Sequence, residues 1–547
     1  MKNWEILNKS QITASKTIKN VLEILLENRK LTTKKDIADF LNPKLTDVTI
    51  KNVEIDEKSL EKAVRRIKEA IRNKEQVIVF GDYDVDGITG AAIVWETLNA
   101  NGANILPYIP NRIDEGYGLS IKGIENLKSQ IKDIKLIITV DNGIVANEAV
   151  DFANKNGIDV IITDHHVPSK LLPDAYSIVH TTKLCGAGVG WILSQQFNIK
   201  ITDHIELVAM AAVADLVPLT FSNRILVKFG LERLQQTKRL GLLELFKICK
   251  LDKNTIGVYE IGHIIAPRLN AMGRLESAMD SLRLLCTTNS QRAKELAQKL
   301  SSTNLERQKF TQEAVLHAST TVASIKSNNN LIFIAHESYQ QGVIGLVAGR
   351  LVEQYYLPSI VVSKGDPYSK ASARSISGLN IIEFIRGASD LLVDAGGHPM
   401  AAGFTVETTK LVLLQKKLEE MALKQVTKKM LTRSLRVDCE LLPDAITPQL
   451  YEAISRLEPF GMGNPIPVFV TRHMVVDELR TVGQDGKHLK MKLKSKNGFF
   501  EAIGFGMGEK ISEIKIGGLV DVAYTIDQDS WNGNKRLQLK LKDIVKR

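Results

Sequence analysis

The chain is poor in cysteine and spaces what it has widely. Cys185, Cys249, Cys286 and Cys439 are its four cysteines in 547 residues, and no two form a Cys-x-x-Cys pair. That spacing excludes a disulfide framework or a zinc ribbon as the basis of the fold and fits a reducing cytoplasmic setting. The start, Met1-Lys2-Asn3-Trp4-Glu5, lacks the apolar stretch of a signal peptide. No apolar run approaches the roughly 18 residues of a membrane span, so no membrane partner is expected. Low-complexity tracts and solenoid repeats are missing as well. Neither sign of charge dominates: 72 Lys and Arg against 62 Asp and Glu leave +10. This mild basic excess favours a polyanionic partner and bears on association, not on fold. The length suffices for about three or four domains.

What the sequence does contain is acidic residues at the ends of apolar runs. Val77-Ile78-Val79-Phe80 leads into Gly81-Asp82-Tyr83-Asp84-Val85-Asp86-Gly87. Leu136-Ile137-Ile138-Thr139-Val140 leads into Asp141-Asn142-Gly143, and Val160-Ile161-Ile162-Thr163 into Asp164-His165-His166. Short Val- and Ile-rich runs between helical stretches read as buried parallel strands. Ligands of such sheets bind outside the carboxyl ends of the strands. These aspartates and the two histidines are therefore expected on one sheet edge, where they would repel one another without a cation. Carboxylate and imidazole donors suit Mn²⁺, Mg²⁺ or Zn²⁺. The Asp82-x-Asp84-x-Asp86-Gly87 run also resembles a calcium loop, but Ile93 stands where that loop needs its Glu, and a strand precedes it where that loop has a helix. Asp215, at the end of the apolar run 207–214, reads as a further ligand or as a helix cap.

The remaining pattern predicts several parts. Residues 1 to about 50 read as short helices, with Ile18, Val21, Leu22, Leu25 and Leu26 at helical spacing. Strands and helices alternate to about 230, and a mainly helical stretch follows. Within it, 290–325 is expected as one long connecting helix broken near Ser301-Ser302-Thr303. A second α/β unit contains strands near 331–334 and 359–362 and a glycine cluster at Gly396, Gly397 and Gly403. Short strands dominate the last part. Lys490, Lys492 and Lys494 fall on one face of one strand, and Lys540 on that of another. The expectation is a small barrel that tracks a phosphate backbone, with a merely solvated outer face as the alternative. The parts run 1–55 (helical), 56–230 (first α/β domain, with the acidic motifs), 231–328 (connector), 329–430 (second α/β domain) and 431–547 (barrel).

Taken together, Gly81–Gly87, Val140–Gly143, Thr163–His166 and Ala211–Leu219 resemble the motifs of the DHH phosphoesterase superfamily, in order. Gly396-Gly397-His398-Pro399-Met400-Ala401-Ala402-Gly403 resembles the G-G-H-x-x-A-A-G element of its DHHA1 domain. Finer motifs are similar to those of the RecJ exonucleases: Pro110-Asn111-Arg112 with Glu115–Leu119, Ala266–Arg274, Gly342–Gly345, Ser372–Ile376, Glu458–Pro465 and Val482–Lys490. The resemblance runs over roughly residues 15 to 545. It departs at His180-Thr181, where the family usually has Asn-Pro, and at Tyr339, where tryptophan is common.

The resemblance implies an α/β fold: a DHH domain with a parallel sheet and a DHHA1 domain, joined by a long helix and followed by an OB-fold β-barrel. It implies a 5′-to-3′ exonuclease that hydrolyses single-stranded DNA to 5′-mononucleotides in recombination and repair, alongside a helicase and a single-stranded-DNA-binding protein. The implied cofactor is a pair of Mn²⁺ or Mg²⁺ ions on Asp84, Asp86, Asp141, His165 and Asp215, with Asp141 as the bridge. Asp82 and His166 are the implied catalytic groups; Asp82 is also open to a place at the metals, and His166 would touch the scissile phosphate or protonate the leaving group. Arg112, Ser372 and Arg374 would grip the 5′ phosphate. Arg274, Gln308 and His398 would contact the strand or the scissile phosphate, Tyr117 a base, and Lys490, Lys492, Lys494 and Lys540 the backbone along the barrel. Two readings compete with this one: a DHH phosphatase acting on small substrates, and a DNA-binding scaffold without catalysis.

Overall fold

Apolar, β-branched runs form strands because both of their faces are covered. In the computed structural model, Gln76–Gly81, Asn104–Tyr108, Ile134–Val140, Asp159–Asp164 and Ser177–His180 build one all-parallel sheet. Residues 2–12, 18–112, 114–324, 330–496, 498–529 and 536–547 are described. Across the sheet the order is Asn104–Tyr108, Gln76–Gly81, Ile134–Val140, Asp159–Asp164, Ser177–His180. The winding therefore reverses between Gln76–Gly81 and Ile134–Val140, the switch point at which doubly wound sheets open a crevice. The helix Val85–Ala100 is apolar nearly all round and accordingly buried. A Cβ on its Gly90 would stand 2.5 Å from Val140 Cγ1, so glycine sets how closely this helix meets the sheet.

The connector helices Leu240–Ile248, Ala266–Leu275 and Met279–Cys286 pack on Ser290–Ser324. This 35-residue helix runs without the break expected near Ser301-Ser302-Thr303. Ser301, Thr303 and Asn304 are buried on it, and tertiary packing overrides their modest helix propensity. Ile325, the last residue of the expected helix, lies outside the described residues. The second α/β sheet is mixed, in the order Asp394–His398, Ala401–Glu407, Tyr368–Arg374, Ser359–Ser363, Ile332–His336. Its glycine cluster forms the hairpin of the first two of these strands.

Val48–Val217 and Leu226–Thr432 make one compact unit; the described residues of Met1–Asp47, Pro218–Ile225 and Arg433–Arg547 make another. The boundary expected at 230/231 falls inside the helix Phe221–Gln235. In the second unit, Phe469–Val482, His488–Ser495, Gly498–Gly504, Arg536–Lys546 and Leu519–Asp529 pair in that order, and the last pairs back on the first to close a five-stranded barrel. Its core includes Phe469, Met491 and Tyr524, with the buried Tyr524 hydroxyl 2.7 Å from Thr471 Oγ1. The reading of residues 1–55 as wholly helical is corrected. Asn3–Ile12 is a strand parallel to Ser434–Leu441. Trp4 and Ile6 alternate inward toward Val437, a period of two that the helical spacing after residue 18 obscured. Among the described residues, no helix is long and apolar enough to cross a membrane.

Candidate metal and phosphate sites

The three acidic motifs meet at the carboxyl edge of the parallel sheet, on either side of its switch point. Asp82 follows the strand Gln76–Gly81, and Asp84 caps the helix Val85–Ala100 by accepting from the Asp86 and Gly87 amides at 2.9 and 3.2 Å. Asp86 accepts from the amides of Gly186 and Ala187 at 2.7 and 2.6 Å, at the start of the helix Gly186–Ser194. Asp141 sits in the left-handed region, at φ 65°, directly after its strand. Its neighbour Asn142 holds that turn: its Nδ2 donates to the Phe80 and Val140 carbonyls at 3.1 and 2.9 Å, and its Oδ1 accepts from the Leu119 amide at 3.1 Å. Helix Gly186–Ser194 meets Asp141 so closely that a Cβ on Gly186 would lie 2.5 Å from Asp141 Cβ.

Three donor groups result, each with ligand atoms within 4.8 Å of one another: Asp82, Asp84 and Asp141; Asp141, His165 and His166; Asp86, His165 and Asp215. Asp141 is shared by two of them, as is His165. His165 Nε2 lies 3.1 Å from Asp141 Oδ1, 3.6 Å from Asp86 Oδ2 and 3.7 Å from Asp215 Oδ2. Asp141 Oδ1 nevertheless has no hydrogen-bond partner, and neither has Asp82 Oδ1, although both are buried. Buried carboxylate oxygens without partners are costly, and a cation is what would satisfy them. Burial and then neighbouring carboxylates push Asp82, Asp84 and Asp141 above the usual carboxylate range, and the same two causes raise Asp215 to about 8. Burial lowers His165, leaving a neutral imidazole fit to ligate.

His166 is built differently. Its Nδ1 lies 2.8 Å from Asp164 Oδ1, and its Nε2 lies 3.1 Å from the Tyr117 hydroxyl. Burial lowers it, but the Asp164 hydrogen bond with the charges of Asp164, Asp215 and Asp86 more than reverses this and lifts His166 to about 9. Asp164 also accepts from the amides of Ile144, His165 and His166 at 2.9, 2.7 and 3.1 Å. Burial raises the Asp164 carboxyl, and the His166 bond and these amides more than reverse it. An anchored carboxylate thus holds a protonated imidazole with Nε2 outward, an arrangement able to donate to an oxygen.

A second feature of the same unit is a cavity of about 400 Å³ lined by Arg112, Arg274, Gly345, Lys370, Ser372 and Arg374. Lys370, Ser372 and Arg374 alternate along the strand Tyr368–Arg374, and Gly403 faces Ser372 across the ladder. The wall carrying Gly345 is the first turn of the helix Ile344–Tyr355, whose free amides favour anions. A Cβ on Gly345 would stand 2.9 Å from Ser372 Oγ. Arg374 Nη1 donates to Ser372 Oγ at 3.2 Å, and Arg274 Nη1 to the Gly342 carbonyl at 3.1 Å. Among the described residues, Arg112, Arg274 and Arg374 form no ion pair within the 4.0 Å range of those found elsewhere in the chain. Burial and then Arg112 lower both Arg274, to about 10, and Arg374. Arg112 also lies over the Tyr83 ring at 5.0 Å and eases the charge of Asp82, which links the cavity to the carboxylate edge.

Along its length the chain matches the DHH family, N-terminal domain, over residues 76–217, the DHHA1 domain over 327–424 and the RecJ OB domain over 437–543. It is 34% identical to the single-stranded-DNA-specific exonuclease RecJ of Bacillus subtilis, covering 99% of this chain and 70% of that one. The chain belongs to the RecJ family. Its fold is that of RecJ from Thermus thermophilus solved with Mn²⁺, at a TM-score of 0.84 and 28% identity over 100% of this chain and 80% of that one. The Mg²⁺ complex of the same protein gives 0.78 and 27% over 100% and 78%.

In this RecJ-family chain, Asp82, Asp84, Asp86, Asp141, His165, His166 and Asp215 come together, as do Arg112, Arg274, Ser372 and Arg374. Tyr117 is half exposed, with its hydroxyl turned to His166. Gln308 and His398 are exposed, and no hydrogen bond or ion pair ties either side chain to the cavity among the described residues. On the barrel, Lys490 lies 3.8 Å from Glu501, Lys492 lies 3.1 Å from Glu478, and Lys540 pairs with Asp527, so that face alternates in charge. Among the described residues Lys494 has no ion pair, and it lies 5.8 Å from the Phe499 ring centroid. The sequence reading did not assign roles to Asn142, to Lys370 or to Asn270, whose Oδ1 accepts from the Val85 amide at 2.9 Å. Lys370 was open to discovery through its period of two with Ser372 and Arg374. Asn142 and Asn270 act on distant backbone and gave no such signal.

Proposed function

We propose that the chain is a metal-dependent exonuclease that removes nucleotides one at a time from the 5′ end of single-stranded DNA, releasing 5′-mononucleotides. The observation that carries this is the pairing, in one unit, of an edge of crowded carboxylates, two of whose buried oxygens have no hydrogen-bond partner, with a cavity lined by Arg112, Arg274 and Arg374. A DNA strand taken up with divalent cations fits both: its 5′-terminal phosphate meets the arginines, and its first phosphodiester, one nucleotide later, meets the cations held at the carboxylate edge.

Asp82, Asp84, Asp86, Asp141, His165 and Asp215 would hold two Mn²⁺ or Mg²⁺ ions, with Asp141 common to both. When bound, such ions lower the pKa of water and neutralise charge building on the phosphate. The chain's own groups do the rest. Asp164 fixes the His166 ring, whose outward Nε2–H contacts the scissile phosphate or gives its proton to the leaving oxygen. Arg112, Ser372 and Arg374 hold the terminal phosphate and so set the register of cleavage. Arg274 serves the same strand, with Gln308 and His398 at its exposed margin and Tyr117 beside the first base. On the barrel, Lys494 contacts the backbone more strongly than Lys490, Lys492 and Lys540, which carboxylates already neutralise. Its place is in recombination and repair, downstream of a helicase and on strands coated by a single-stranded-DNA-binding protein.

The test is a single-stranded oligonucleotide labelled differently at its two ends and incubated with Mn²⁺. Early release of the 5′ label as a mononucleotide, abolished by EDTA, is the expected result. Early release of the 3′ label would overturn the polarity. Intact but bound DNA would favour a scaffold, and cleavage of dinucleotides alone a small-substrate phosphatase.

A further inference from the structure

The long helix Ser290–Ser324 carries polar groups where a packed helix ordinarily carries apolar ones. Ser301, Asn304 and Arg307 recur every third residue, and each has buried polar atoms without a hydrogen-bond partner: Ser301 Oγ, both Nδ2 and Oδ1 of Asn304, and Arg307 Nε. Asn304 is 0% exposed. The helix Ala266–Leu275 packs against this one and adds Arg268, whose Nε is also buried and unpartnered while its Nη1 donates to the Ile264 carbonyl at 2.6 Å. Native interiors leave few such groups unsatisfied. Here donors outnumber acceptors; Arg307 feels the charge of Arg268 and of Arg350, the latter paired with Glu353 at 2.8 Å, with Arg274 of the cavity beyond, and among the described residues neither Arg307 nor Arg268 has an ion pair of its own. Ordered water could satisfy Ser301 and Asn304, but it would not offset one guanidinium beside another. A partly buried cation with cationic neighbours lacks an anion.

We propose that Arg307 and Arg268, backed by Asn304, form a second phosphate subsite, one that binds a phosphodiester of the single strand other than the phosphate held in the arginine cavity. This rests on the nuclease reading above. Arg274 joins the two sites, so the strand's backbone meets a track of guanidinium groups: Arg374, Arg112, Arg274, Arg307 and Arg268. The track recognises backbone charge and makes no demand on base identity.

The test is binding of a long 5′-phosphorylated oligonucleotide, without divalent cation, to the full chain across a salt series. Arg307→Ala should weaken binding at low salt by about tenfold and reduce the slope of log K against log salt by about 0.7, the contribution of one phosphate contact on a single strand. Arg307→Lys should keep the slope, and Arg268→Gln, measured alongside in case one variant folds poorly, should show the reduced slope. The ratio of affinities for 5′-phosphorylated and 5′-hydroxyl strands should stay as in the unaltered protein, since that ratio reports on the cavity. Unaltered affinity and slope in both Arg307→Ala and Arg268→Gln would overturn the subsite while leaving the exonuclease reading intact. An unaltered protein that neither binds nor digests the strand would overturn both.

Discussion

The carboxylate edge and the arginine cavity are opposite in sign and alike in construction. At the edge, burial and mutual repulsion raise Asp82, Asp84, Asp141 and Asp215. In the cavity, the same two forces lower Arg274 and Arg374. Each site gathers an excess of one charge, which His166 at the edge and Asp394 in the cavity lining offset only in part. A third cluster of buried charge in the same unit is matched instead. Arg239 reaches Glu96 at 2.7 Å and Glu206 at 2.8 Å, and His204 lies 3.2 Å from Glu96. Matched charge holds the architecture, and unmatched charge of one sign marks a site. Substitutions in the two kinds of region should therefore affect different measurements.

The largest effect belongs to the edge. Asp141→Ala removes the carboxylate common to two donor groups and should reduce hydrolysis of a 5′-labelled strand by about a thousandfold or more, while anisotropy still reports strand binding. Near-normal turnover would remove Asp141 from the centre of the account. Arg374→Ala in the cavity comes next. It should raise KM for a 5′-phosphorylated strand by about tenfold, change kcat less, and erase the preference over a 5′-hydroxyl strand. A preference that survives would place the terminal phosphate elsewhere.

The matched set should answer to stability, not to catalysis. Burial raises Glu96, but hydrogen bonds from His204 and Arg239 more than offset this and hold it at about 2. A carboxylate depressed in the folded state stabilises above its unfolded value of about 4.3 and loses that contribution as pH falls through about 2. Glu96→Gln should therefore cost roughly 3 kcal/mol near neutral pH, with the difference from the unaltered protein vanishing in acid. Equal stability of the two proteins at pH 7 would contradict the pairing argument. The smallest effect is expected on the barrel. Lys492→Ala should change strand affinity less than about twofold, because Asp477 and Glu478 already face that lysine, whereas Lys494→Ala should change it more. The reverse order would mean that DNA displaces the carboxylates.

The difference between the regions also explains what could be read in advance. The edge was legible because its candidate ligands, Asp215 apart, come in contiguous runs at the ends of strands that announce themselves as buried. Asp82, Asp84 and Asp86 needed only the strand before them to be placed. The cavity draws Arg112, Arg274, Gly345 and Ser372 from four separate segments, and no local pattern relates them; resemblance to a family supplied what spacing did not. The lysine faces of the barrel were read correctly as faces, but the acids that neutralise them sit on neighbouring strands. The strand Asn3–Ile12 was missed because its partner, Ser434–Leu441, lies more than four hundred residues away in sequence. The unbroken helix Ser290–Ser324 likewise depends on what packs around Ser301 and Thr303.

The most direct test of the account is calorimetric titration of Mn²⁺ into the metal-free protein and into Asp141→Ala. The account predicts two ions bound by the former, and loss or severe weakening of both in the variant, because His165 and the Asp82–Asp84 pair each depend on Asp141. Two ions bound with unaltered affinity by Asp141→Ala would contradict a shared centre and would leave the crowded carboxylates without an explanation.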